Sequence, residues 1–137
     1  MKRRKATTEK AGTQRKRGER RSPPIAIKRV YDKPACDDGV RILIDRLWPR
    51  GLSKPELKLD AWPRALSPST ELRKWYGHDP ARFAEFRRRY RKELAAHHEE
   101  IAALCALIKG RAATLLTATR ELDLSHAVVL REILEKD

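Results

Sequence analysis

The side chains able to do chemistry gather in two short stretches. Asp45-Arg46-Leu47-Trp48-Pro49-Arg50-Gly51 sets a carboxylate, two guanidinium groups and an indole side by side, and Thr117-Ala118-Thr119-Arg120 leads on to Ser125-His126. Arginine presents a fork of N–H donors that matches phosphate or carboxylate oxygens, and an indole face can stack on a planar ligand ring. A histidine in the first turn of a helix is favoured as the neutral imidazole, the form that accepts a proton. The candidate ligand contacts are therefore Arg46, Trp48, Arg50, Arg120 and Thr117, with His126 or Asp45 as the proton carrier of any reaction. Each has a plainer reading beside it. Trp48 can be a loop-packing aromatic, Asp45 and Arg46 can form a structural ion pair closing a strand, and His126 can merely hydrogen-bond the preceding loop.

Other chemistries find no pattern. The four histidines show neither HxH nor HExxH spacing, and Cys36 and Cys105 have no CxxC partner, so no metal site is expected. The chain carries no P-loop, no GxGxxG and no GxSxG. Cys36 falls in the polar turn Ala35-Cys36-Asp37-Asp38-Gly39 and Cys105 in the apolar run 101–108, which is no disulfide framework and fits a reducing cytoplasm. No cofactor is implied.

Something must hold the two stretches together. Residues 25–31 alternate in period two and end at Asp32-Lys33-Pro34, predicting a strand. After the turn signal Asp37-Asp38-Gly39, residues 40–47 are apolar enough for a strand covered on both faces, the central one of the sheet. Residues 54–62 support only a brief extended piece. Ser67-Pro68-Ser69-Thr70-Glu71 opens a short helix that Gly77 closes, and Asp79-Pro80 opens another. That one reads as a single long helix to Lys109-Gly110, since Phe83, Phe86, Tyr90, Leu94, His97, Ile101, Leu104 and Ile108 form one stripe. His97 is then a core histidine, and His98 faces solvent. Residues 112–118 predict a third strand deep in the sheet, and Ser125 caps a last helix that buries Val128, Val129, Ile133 and Leu134. Strands separated by helices make an α/β domain with a small, partly parallel sheet and helices packed on it, spanning 25–137. In such sheets ligands bind beyond the carboxyl ends of the strands, where both stretches fall.

Of the chain's 137 residues, 32 are Lys or Arg and 19 are Asp or Glu, a formal net charge of +13. Residues 1–24 hold ten basic side chains against two acidic ones and no Val, Ile, Leu or aromatic residue, predicting a disordered basic tail. No apolar run follows its basic start, so it does not read as a secretory signal, and no run anywhere is long enough to span a membrane. Arg3, Arg4, Arg15, Arg17, Arg20 and Arg21 are the candidate contacts to nucleic acid, helped by the arginine-rich face of the long helix. A solvated extension and a solvated helix face are the alternatives.

Three segments together carry a resemblance: Lys28-Arg29-Val30-Tyr31-Asp32, the run Asp38 to Gly51 with its unbroken DRLWPRG, and Pro68-Ser69-Thr70-Glu71-Leu72-Arg73-Lys74. Across residues 25–136 the chain resembles the YeaO-like branch of the domain-of-unknown-function 488 family, small bacterial α/β proteins. The resemblance implies a cytoplasmic protein and brings no established reaction. It also implies, for the wider family, a cysteine in the late strand and a Cys-His-Arg triplet at the start of the last helix, where this chain has Thr117 and Ser125-His126-Ala127. Thiol or metal chemistry is accordingly not expected of this chain. The function expected is binding of a small anionic ligand, phosphate- or nucleotide-like, with a DNA- or RNA-binding accessory protein as the alternative. A third possibility is an interaction module whose tryptophan loop is buried in a homodimer.

Overall fold

The computed structural model describes residues 24–136, so the basic tail lies, but for Pro24, outside the described residues. Strands β1 (Ile25–Arg29), β2 (Val40–Leu43) and β3 (Ala113–Thr117) form one parallel sheet in the order β1-β3-β2, with Ala113 level with both Ile25 and Val40. The α/β expectation holds. The central strand is β3, however, whereas the sequence pointed to the second strand. Two neighbours bury all five β3 residues, while β2 stops at Leu43 and lies at the edge. Its near-continuous apolarity has another cause: the chain returns along its outer side, where Leu43 N–H donates to the Ala61 carbonyl (3.0 Å) and Asp60 N–H to that of Arg41 (2.8 Å). The brief extended piece is found there, after a single helical turn, α1 (Lys54–Leu57).

Successive residues of a strand point to opposite faces, and the sheet accordingly sorts its side chains into two cores. Ile42, Ile44 and Leu115 join the cluster under the helices, while Val30, Leu43 and Leu116 face Leu57, Trp48 and Trp62. One face is thus covered by helices, the other by the 44–62 segment.

Helix α2 (Thr70–Tyr76) starts where predicted, with the Ser69 hydroxyl accepting from Leu72 N–H (3.1 Å), and ends at Gly77 with φ +53°. The single long helix is in fact two, α3 (Phe83–Ala95) and α4 (His98–Ile108). Phe86, Tyr90, Leu94, Ile101, Leu104 and Ile108 are all buried, so the stripe keeps its phase across the break. A tight turn, Ala96 N–H to Glu93 O and His97 N–H to Leu94 O, makes the interruption with no Pro or Gly to announce it. His97 sits at that turn with its side chain 40% exposed, 3.7 Å from Glu100, and is not a core residue. His98 is exposed, as expected. The last helix, α5 (His126–Lys136), buries Ala127, Val129, Leu130 and Leu134, leaving Val128 and Ile133 only half-buried. Helix α5 therefore turns a slightly different face to the sheet than the β-branched residues suggested.

Behind the sheet's amino ends, Asp38 and Arg41 are buried together. The Arg41 guanidinium donates to Asp38 and twice to the Leu57 carbonyl (3.0 and 2.8 Å), and Lys28 adds a donor to Asp38 at 3.0 Å. Burial works to raise the Asp38 pKa, but Ala35 N–H, Lys28 and Arg41 outweigh it and hold the carboxyl below its ordinary value. Among the described residues no helix is long and apolar enough to cross a membrane.

Candidate functional site

At the carboxyl ends of β2 and β3 lies a cleft of about 870 Å³. Both chemistry-bearing stretches reach it: Asp45, Arg46, Trp48 and Arg50 follow β2, and Arg120 and His126 follow β3. The parallel pairing explains the convergence, because it sets the carboxyl ends of the strands, and so the segments that follow them, at one edge of the sheet.

Asp45 anchors the floor. Its carboxylate accepts from the Thr117 hydroxyl (2.7 Å), Ala118 N–H (2.8 Å) and His126 Nε2 (3.1 Å). Burial pushes its pKa up, yet His126, then Ala118 and Thr117, outweigh that and leave it below the ordinary aspartate value. A carboxylate held ionised by three donors is poorly suited to take a proton. It instead ties together the ends of two strands and the start of α5. The alternative reading of Asp45 and Arg46 as an ion pair does not hold: Asp45 partners His126, and Arg46 partners the Ser67 and Pro68 carbonyls.

The same contacts fix the imidazole. Nε2 lies 3.1 Å from both the Ile44 carbonyl and Asp45 Oδ1, two acceptors, so it carries the hydrogen. Nδ1 makes no hydrogen bond to the described residues, and in the neutral ring it is an acceptor at the cleft. Thr117 is fully buried beneath His126 and Asp45, its hydroxyl spent on Asp45, and does not line the cleft. The hydroxyl of Ser125 is likewise spent, donating to the Leu122 carbonyl (2.7 Å) and accepting from Ala127 N–H.

Arg46 differs from the cations around it. One terminal nitrogen donates to the carbonyls of Pro68 (3.2 Å) and Ser67 (3.5 Å), while its Nε is buried without a partner. No carboxylate pairs with it among the described residues. Trp48 is half-buried, its ring N–H donating to the Leu52 carbonyl (2.6 Å) and its ring edge-on to Trp62 at 5.5 Å. Both readings of Trp48 meet here, since a ring packed in the loop also lines the cleft. Arg50 and Arg120 line it and are exposed.

The opposite wall was not read from the sequence. Arg73 and Lys74 of α2 complete the cationic lining, and the His78 ring lies beyond them. Their basic character at the end of a predicted helix was visible, but only the docking of α2 on α3 turns them toward the strand ends. The nucleic-acid candidates Arg3, Arg4, Arg15, Arg17, Arg20 and Arg21 lie outside the described residues. On the arginine-rich face of α3, Arg87 grips Glu132 through two nitrogens (3.0 and 2.8 Å), and Arg88 and Arg89 share Glu85, whose pKa they hold down at about 2. Arg89 also stacks on Trp75 at 4.3 Å. Among the described residues no group of three metal-ligating side chains comes together.

Residues 24–137 match the family described as the inactive DUF488-N3 subclade. The chain belongs to this family. It is also 44% identical to the uncharacterized protein YeaO of Escherichia coli over 108 residues, 79% of this chain and 94% of the relative. The uncharacterized protein Rv3073c of Mycobacterium tuberculosis is 44% identical over 117 residues, 83% of this chain and 96% of the relative. No solved structure matches the chain significantly. The YeaO-like resemblance is thereby borne out, and these relatives share nearly their whole length with the α/β domain.

Proposed function

We propose that this DUF488-N3 protein binds a small anionic ligand, phosphate- or nucleotide-like, in the cleft at the carboxyl ends of its strands, in the bacterial cytoplasm. The observation that carries this reading is Arg46. A half-buried guanidinium that lines the cleft and has only neutral carbonyl partners lacks a counter-charge among the described residues, and an incoming oxyanion supplies one. Arg50, Arg73, Lys74 and Arg120 around it add positive potential and focus an anion toward that point. Binding without a covalent step fits the locked hydroxyls of Thr117 and Ser125, neither of which has a free base to activate it.

The test is a thermal-shift titration of the full chain with nucleotides, phosphorylated metabolites and inorganic pyrophosphate. A saturable rise in Tm that Arg46→Ala abolishes supports the reading, because a ligand that binds only the folded state stabilises it. Absence of binding by every compound at concentrations up to about millimolar rejects it. The nucleic-acid reading draws support from the charge of residues 1–24; the α3 arginines add less to it, Arg87 being paired with Glu132 and Arg88 and Arg89 together with Glu85.

A further inference from the structure

The cleft is larger and more apolar at its lip than an inorganic anion requires. Leu47 is 69% exposed and Tyr31 46%, and these two, of the three large apolar side chains exposed among the described residues, both line it. A single exposed leucine is ordinary; the coincidence of two such side chains at one cationic cleft is not. Tyr31 is held in place there, its hydroxyl donating to the Arg50 carbonyl (3.2 Å) and the Arg29 guanidinium lying 5.3 Å from its ring centre. Leu47 stands between Arg46 and the half-buried ring of Trp48. The exposed leucine of the lip and the guanidinium that lacks a carboxylate partner are thus consecutive in the chain.

Size and charge narrow the ligand further. Small-molecule sites occupy about 300–1,000 Å³, and at about 870 Å³ this cleft would stand mostly empty around a lone phosphate or carboxylate. Five cationic side chains, Arg46, Arg50, Arg73, Lys74 and Arg120, face two carboxylates, of which Asp45 is already engaged by His126. That excess suits a ligand with more than one negative charge.

We infer that the ligand is a nucleoside polyphosphate, its phosphates on Arg46 and the surrounding cations and its planar base against Leu47, Tyr31 and Trp48. This rests on the anion-binding reading and names the ligand class within it. A flat ring needs no hydrogen-bonding pocket to gain from such a lip, since stacking and apolar contact are tolerant of base identity.

Equilibrium binding of the full chain to adenosine diphosphate, uridine diphosphate, ribose 5-phosphate and inorganic pyrophosphate tests it. Both nucleotides should bind about tenfold or more tightly than pyrophosphate or ribose 5-phosphate, the gain typical of one stacked base. Leu47→Ala combined with Tyr31→Ala should remove most of that gain and leave pyrophosphate affinity within about twofold, whereas Arg46→Ala should weaken all four. Both lip residues are exposed, and an unchanged Tm of the double variant verifies that it folds. Pyrophosphate binding as tightly as the nucleotides, or a double variant that keeps the full nucleotide preference, overturns the inference while leaving anion binding standing. Failure of all four to bind overturns both.

Discussion

Asp45 accepts three hydrogen bonds where β2, β3 and α5 meet, and that occupancy decides its role. An ionised carboxylate so placed is a structural clamp, and Asp45→Asn, which keeps the shape and removes the charge, should destabilise the fold by about 1–3 kcal/mol in urea unfolding. The pH dependence follows from the direction of its shift. The folded pKa lies below the unfolded value of about 3.9, so the unfolded chain binds more protons in that interval and stability rises with pH there. The contribution is complete above about pH 4 and is lost as pH falls through the lowered value. Urea midpoints measured between about pH 2 and pH 6 should therefore show a shallower acid limb in Asp45→Asn than in the parent; an identical limb would assign the acid sensitivity to the other carboxylates held low, Asp38, Glu56 and Glu85.

Two junctions between elements are held by single residues. Gly39 has φ +67°, and a Cβ there would stand 2.1 Å from the Ala112 carbonyl oxygen, the atom that accepts from Val40 N–H to start the β2–β3 pairing. Strain and collision fall on the same backbone, so Gly39→Ala should cost about 3 kcal/mol or more and lower Tm by well over ten degrees. Ser69 caps α2 and also joins it to α3, its N–H and hydroxyl both donating to Glu93 (2.9 and 2.6 Å). Ser69→Ala should cost about 1–2 kcal/mol. Because α2 carries Arg73 and Lys74, the same variant should weaken pyrophosphate binding, a loss that calorimetry at a temperature well below its Tm separates from unfolding.

For the whole molecule, every described residue that lines the cleft lies at or after Tyr31, so removing residues 1–23 should leave pyrophosphate and nucleotide affinity unchanged within about twofold by calorimetry. The same deletion should flatten the salt dependence of any DNA or RNA binding, since the slope falls by about one unit for each phosphate that a Lys or Arg no longer neutralises. What the sequence determined by itself is local. Caps such as Ser69 and Asp79, the stop at Gly77, the apolar stripe from Phe86 to Ile108 and the DRLWPRG stretch are legible because a few neighbouring residues set them. The α/β class and the placing of both chemical stretches at one sheet edge followed from the order of elements. Only the tertiary structure decided the rest. It put β3 in the centre, gave β2 its cover through Ala61, broke the long helix at Ala96–His97, paired Asp45 with His126 instead of Arg46 and turned Arg73 and Lys74 into the cleft. Each of these depends on which distant surface an element meets, and periodicity within a segment carries its own buried face but not the identity of the partner that buries it.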